Sequence, residues 1–228
     1  MVATTTIASN IESLRGRIAA AAERAGRDPA EIRLVGASAT SKGVTNEMVL
    51  AALDSGLVDF GENYIQEAQQ RVQALGARAS EARWHFIGHL QSNKAGAAAG
   101  LFDTIESVDS LKLAQALSRR AEKPLRVFLE VNAAGETSKY GLHASDVASM
   151  VEAVGALPNI DLVGLMTMAP EVDDVEQTRP VFRTLRELAG ANGLRELSMG
   201  MTNDFEVAIQ EGATTVRIGR ALFAGRPR

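Results

Sequence analysis

Short apolar runs alternate with amphipathic segments along the 228 residues of this chain, and that alternation restricts its fold more than any other feature. Strand-like runs fall at 32–37, 58–60, 84–87, 104–105, 126–131, 162–165, 196–199 and 215–218. Helical spacing fills the intervals at 45–55, 63–75, 91–100, 110–122, 145–157, 174–191 and 202–212. A further amphipathic helix at 7–26 carries Ile7, Ile11, Leu14, Ile18 and Ala21 on one face. Gly56, Gly76 and Gly212 punctuate helix ends. Strands separated by helices must pair in parallel through crossovers. Eight of them in so short a chain predict a compact closed (β/α)8 barrel with an extra N-terminal helix, not an open sheet. No linker, low-complexity run or charge block interrupts the pattern, so 1–228 reads as one domain.

Bulk properties exclude several classes of function. With 46% hydrophobic residues the chain can bury a sizeable core. The formal net charge of −4 offers no broad cationic surface for nucleic acid. There is no cysteine, hence no disulfide, thiolate metal site or cysteine nucleophile. Residues 1–9 have neither a basic segment nor an apolar core, and no apolar run approaches a membrane span. A cytoplasmic protein is expected, and a monomer, since no exposed heptad seam argues otherwise.

Barrel chemistry gathers at the C-terminal ends of strands, so candidate groups are sought there. Those loops are Ser38-Ala39-Thr40-Ser41-Lys42-Gly43, Phe60-Gly61-Glu62-Asn63-Tyr64, the run from Trp84 to Lys94, Val131-Asn132 with Gly135 to Gly141, and Gly164-Leu165-Met166-Thr167-Met168. After the seventh strand comes Ser198-Met199-Gly200-Met201-Thr202-Asn203-Asp204-Phe205, and the eighth ends on Val216-Arg217-Ile218-Gly219. Thr202 and Asn203 are good N-cap residues, and Gly200 lets the backbone approach a bound group. Free amides at a helix start beside two glycine loops suit a phosphate, although such glycines also make ordinary tight turns.

A lysine opposite a phosphate cradle can condense with an aldehyde as a Schiff base, and pyridoxal 5′-phosphate (PLP) carries both groups. By residue type alone, Lys42 would most often be a solvated loop lysine, and Lys94 and Lys139 are weaker candidates still. His85 and His89 do not share a helical face and lack an acidic companion, so no metal site is expected. No Gly-x-Ser-x-Gly elbow supports a serine hydrolase.

Longer motifs resemble a known family. They are Phe60-Gly61-Glu62-Asn63-Tyr64-x-Gln66-Glu67, Trp84-His85-Phe86-Ile87-Gly88-x-Leu90-Gln91-x-Asn93-Lys94, Ser107-Val108-Asp109-Ser110, Ser138-Lys139-x-Gly141-Leu142, Gly164-Leu165-Met166-Thr167-Met168, Ser198-Met199-Gly200-Met201-x-Asn203-Asp204-Phe205 and Val216-Arg217-Ile218-Gly219. Together they resemble the pyridoxal-phosphate homeostasis family, also called proline synthase co-transcribed homologues. The resemblance implies a barrel of the alanine racemase N-terminal domain type that holds PLP through a lysine Schiff base. It also implies a role in vitamin B6 homeostasis, buffering or delivering the cofactor to PLP-dependent apoenzymes, without catalysis of its own. The alternative is a fold-type III amino-acid racemase or related small PLP enzyme.

One segment departs from the family pattern, which reads Ser-Lys-Thr-Lys/Val-Pro after the first strand. Counting back from Phe60-Gly61-Glu62-Asn63-Tyr64 places Ser41-Lys42 on the family's Ser-Lys, with about three extra residues upstream to be absorbed in a bulge or loop. Counting forward from Leu34-Val35 places Ala39 there instead and leaves no Schiff base. The first register keeps the following helix free of gaps, and Lys42 is the assignment made. By the same resemblance, Ser198, Gly200 and Thr202 bind phosphate with the Gly219 amide beside them. Arg217 projects into the barrel near the phosphate or the ring nitrogen, and Asn63 lies near the ring on the lysine side. His85 either backs the ring or fills the barrel mouth. An arginine at the ring nitrogen would disfavour its protonation and weaken the cofactor as an electron sink.

Overall fold

The computed structural model describes residues 2–38, 43–135 and 140–223. Lys42, Ser138 and Lys139 lie outside the described residues. Parallel strands β1 (Arg33–Ala37), β2 (Asp59–Glu62), β3 (Arg83–Phe86), β4 (Thr104–Val108), β5 (Leu125–Glu130), β6 (Ile160–Met166), β7 (Glu196–Ser198) and β8 (Thr215–Ile218) close into a barrel in chain order. β8 returns to β1 with Val35 opposite Arg217. The expected (β/α)8 barrel is therefore found: the crossover helices impose parallel pairing, and each strand pairs with its chain neighbours until β8 meets β1.

The helices are α1 (Val2–Arg24), α2 (Asn46–Asp54), α3 (Ile65–Leu75), α4 (Ala95–Leu101), α5 (Leu111–Ser118), α6 (Val147–Gly155), α7 (Arg179–Ala191), α8 (Phe205–Gln210) and α9 (Arg220–Phe223). Ile7, Ile11, Leu14 and Ile18 of α1 are buried, as their spacing predicts. α1 packs on α2, α8 and α9, and Asn10 donates to the Leu222 carbonyl at 2.9 Å. The extra helix thus braces the β8–β1 side of the barrel. Among the described residues, no helix is long and apolar enough to cross a membrane.

One helix start differs from expectation. A helix from Thr202 was expected on the strength of Thr202 and Asn203 as caps, but α8 begins at Phe205. The Asp204 carboxylate instead takes the Met201 amide at 2.6 Å, closing a turn that holds 202–204 out of the helix.

The period-two rule sorts the strand residues into two layers. Phe60, Trp84, Ile105, Val127, Leu129, Leu165, Leu197, Val216 and Ile218 belong to the core shared with the helices. Their strand neighbours face the barrel axis. That interior holds buried Asp59, His85, Glu106, Ser198, Thr215 and Arg217 as well as apolar Val35, Phe128 and Met166. A polar barrel interior is costly unless its groups pair; Asp59, His85, Glu106, Ser198 and Arg217 pair with one another, whereas the Thr215 hydroxyl has no partner among the described residues.

Candidate functional site

The C-terminal mouth of the barrel opens into two adjoining clefts. The first, about 300 Å³, is lined by Ala37, Asn63, Thr202, Asn203, Arg217 and Gly219 among others. The second, about 750 Å³, shares Asn63, Ile87 and Met168 with it and extends over Tyr64, His89, Glu130 and Tyr140. Gly88 allows the loops after β2 and β3 to touch, since a Cβ there would lie 2.4 Å from the Asn63 carbonyl oxygen.

Arg217 is the fixed cation of the first cleft. Its guanidinium donates to the Ser198 hydroxyl and, at 3.0 Å, to the Thr167 carbonyl, and it lies 3.6 Å from the Glu106 carboxylate. Thr167 is itself anchored, its hydroxyl donating to the Val131 carbonyl at 2.7 Å. The Arg217 backbone amide donates to the Gly200 carbonyl, which ties the loop after β7 to β8. Around this cation the amides of Gly200, Thr202, Asn203 and Gly219 make no hydrogen bond among the described residues. Donor groups left open beside an arginine suit an anionic oxygen cluster such as a phosphate. The residues present therefore fit a phosphate-bearing ligand.

Of the residues expected from sequence, Asn63, Thr202, Arg217 and Gly219 line this cleft, and Gly200 lies against it in the same loop. Ser198 is fully buried, its hydroxyl donating to Glu106 at 2.6 Å while accepting from Arg217. His85 is 2% exposed and lies inside the barrel, between Glu106 and Asp59, and it lines neither cleft. Lys42 falls outside the described residues, but the residues on both sides of its segment are held by one buried ion pair. Arg71 reaches the Glu62 carboxylate at 2.7 Å, Asn46 Oδ1 at 3.1 Å and the Val44 carbonyl at 3.4 Å. On the other side, the Ser38 hydroxyl donates to the same Glu62 oxygen. This clamp had no sequence signal beyond the charges themselves, because its members meet only in the folded chain.

Sequence reasoning also missed Glu130, although a carboxyl at the C-terminal end of a strand, directly after the apolar run Val127-Phe128-Leu129, was a signal. Its side chain is 4% exposed, borders the second cleft and has no hydrogen-bond partner among the described residues. Burial, aided by the charge of Asp109 and opposed by Arg217, pushes its carboxyl up to about 7 from the ordinary 4.5. A raised carboxyl pKa means that ionisation is harder in the folded chain, so the penalty grows from about pH 4.5 and is complete above about 7. Glu130→Gln is therefore expected to raise the melting temperature at pH 8 by several degrees, for a gain of at most about 3 kcal/mol, and to change little at pH 5. Calorimetry at both pH values checks this; a variant less stable than wild type at pH 8 would mean that the carboxylate has a counter-charge.

Comparison with known proteins places this geometry in a lineage. The family described as alanine racemase, N-terminal domain, matches residues 9–227. A protein of Pseudomonas aeruginosa named pyridoxal phosphate homeostasis protein is 46% identical, with 97% of this chain and 96% of that protein covered. Among solved structures, an unknown protein from Bifidobacterium adolescentis superposes with a TM-score of 0.87 at 39% identity, covering 96% of this chain and 95% of that one. PipY of Synechococcus elongatus, solved with PLP bound, superposes with a TM-score of 0.81 at 31% identity, covering 96% of this chain and all 100% of its own. By fold, motifs and near full-length similarity, the chain belongs to the alanine racemase N-terminal domain family and, within it, to the pyridoxal phosphate homeostasis proteins.

Proposed function

We propose that this protein holds pyridoxal 5′-phosphate reversibly at the C-terminal mouth of its barrel and serves vitamin B6 homeostasis by buffering or delivering it. The observation that carries this reading is the set of open amides at Gly200, Thr202, Asn203 and Gly219 around the fixed guanidinium of Arg217. The PLP-bound relative of the same family supports it. When bound, the group supplies an electrophilic aldehyde beside its phosphate ester. The protein's own residues do the holding. The amides and the Thr202 hydroxyl take the phosphate, Asn63 and Met168 bound the space beside it, and Lys42 provides the amine that captures the aldehyde. Ser198 and Thr167 keep Arg217 from turning away.

Delivery needs a recipient, and the mouth is suited to meeting one. Tyr64, Tyr140, Met168 and Met201 are 61%, 59%, 39% and 37% exposed, and all border the two clefts. Exposed aromatic and methionine side chains around a ligand mouth favour protein contact, and apo forms of PLP-dependent enzymes are the recipients in this reading. The carrier itself is a cytoplasmic monomer of one domain.

A racemase-type enzyme is the second reading, and Glu130 favours it, since a carboxyl titrating near neutrality beside the cleft is able to exchange protons. Equilibrium dialysis of the purified protein against PLP, then borohydride reduction and peptide mapping, tests the proposal. Uptake with the adduct on Lys42, and no solvent deuterium entering amino-acid Cα positions, is the expected result. No uptake overturns the proposal, whereas deuterium entry would favour the enzyme.

A further inference from the structure

Below the cofactor cleft, a line of buried polar groups follows the barrel axis. From the mouth downward, Arg217 donates to Ser198, and Ser198 donates to Glu106 Oε2 at 2.6 Å. Glu106 Oε1 lies 2.7 Å from His85 Nδ1, and His85 Nε2 lies 3.0 Å from Asp59 Oδ1. At the far end Arg83 grips Asp59 with two hydrogen bonds, at 2.8 and 2.6 Å. The members come from five strands, β8, β7, β4, β3 and β2. All but Arg83 are buried.

We propose that His85 and Glu106 are positioning residues for the cofactor site: a doubly protonated His85 keeps Glu106 ionised, and Glu106 holds Ser198 and Arg217 in the pose that faces the cleft. The geometry favours this protonation pattern while both carboxylates are ionised. Each ring nitrogen meets a carboxylate, which only accepts, so both nitrogens must donate. A neutral ring would set a lone pair against a carboxylate oxygen in a buried site, at the cost of an unsatisfied buried pair. Glu106 is completely buried, so without the charge on His85 it would take up a proton. A protonated Oε2 would then compete with the Ser198 hydroxyl for the donor role, and the support under Arg217 would loosen.

The surrounding charges agree. Facing His85 are Asp59 from β2 and Glu106 from β4; one step away are Arg83 on β3, Arg33 on β1 at 3.9 Å from Asp59, and Arg217 on β8. Burial works against a charged ring, but hydrogen bonds and charge from both carboxylates prevail and hold the His85 pKa above its ordinary value. Burial likewise opposes ionised Asp59 and Glu106, and their contacts with His85 hold both below the usual carboxylate range. The stabilisation from His85 is therefore complete below about pH 6.5 and is lost as pH rises through its elevated folded pKa. That from the two carboxylates is complete above their ordinary pKa values and is lost as pH falls through their depressed ones.

The protonation state and the positioning role are measured separately. NMR of the whole protein with ¹⁵N-labelled histidine resolves three side chains, and His85→Gln assigns the signal of interest. His85 is expected to remain doubly protonated at pH 7; a neutral ring at that pH overturns the proposal. Both His85→Gln and Glu106→Gln are expected to weaken PLP binding roughly tenfold or more and to shift the absorption maximum of the loaded protein. Unchanged affinity and spectrum in either folded variant overturns the positioning role. Should neither variant fold, the titration of wild-type His85, assigned by its through-space contacts, still tests the protonation state, and His85→Asn, which leaves Glu106 in place, tests the positioning role by the same binding and spectrum. The binding arm rests on the cofactor reading; wild type that takes up no PLP would defeat that reading and leave the histidine titration standing.

Discussion

Lys42→Ala will bind PLP about a hundredfold more weakly than wild type and yield no borohydride-stable adduct. The described residues around the segment argue for this assignment. β1 ends on Ala37, in the wall of the first cleft, and β1 is hydrogen-bonded to the strand that carries Arg217. The chain then passes Ser38, bound to Glu62, and is recovered at Val44 and Asn46, both bound to Arg71. The Glu62–Arg71 pair thus links residues before and after the segment. With the covalent link gone, the amides and Arg217 still attract the phosphate, so residual binding is expected. The difference is readable as a thermal shift. At a ligand concentration a thousand times the wild-type dissociation constant, binding stabilises wild type by about 4 kcal/mol, and a hundredfold weaker variant by about 1.4 kcal/mol. Equal shifts, or an adduct that persists in the variant, would place the capturing amine elsewhere and favour the register that sets Ala39 at the family's lysine.

What the sequence disclosed and what it concealed divide along a physical line. Strands and helices were legible because one side of each is apolar, and pairs such as Val127 with Leu129 and Val216 with Ile218 repeat at the period their strand demands. The donors at the mouth were legible because glycine and threonine cluster in single short loops. The polar axis was not. Asp59, His85, Glu106, Ser198 and Arg217 lie on five different strands far apart in the chain, and only barrel closure brings them together. His85 was expected at the ring or the mouth, whereas its two carboxylate partners fix it in the interior. The α8 boundary was misplaced for a more local reason: the Asp204 carboxylate accepts from the upstream Met201 amide and closes a turn over 202–204, so the helix starts only at Phe205.

Gly200→Ala is expected to cause the larger loss of stability among substitutions at the mouth. Gly200 has φ of +95°, a conformation that costs an L-residue about 1–2 kcal/mol. Its missing Cβ would lie 2.6 Å from Ala208 Cβ and 2.9 Å from the Phe205 Cα. Neither atom is the end of a flexible side chain, so α8 and the loop would have to separate, at a further cost of about 1–3 kcal/mol. The sum lowers the melting temperature by roughly 5–12 °C for a chain of this size. Function suffers by the same movement. The Gly200 carbonyl receives the Arg217 amide, and the open amides of Thr202 and Asn203 follow within three residues. Displacing the loop therefore parts the phosphate donors from the cation, and PLP affinity is expected to fall by about tenfold or more. Gly155→Ala is the matched control: it ends α6, has no positive φ, and its Cβ would meet nothing within 4 Å. That variant should keep its affinity and melt within about 1 °C of wild type or slightly higher. If Gly200→Ala matched the control in both measurements, the loop would not be the rigid cradle that its backbone implies.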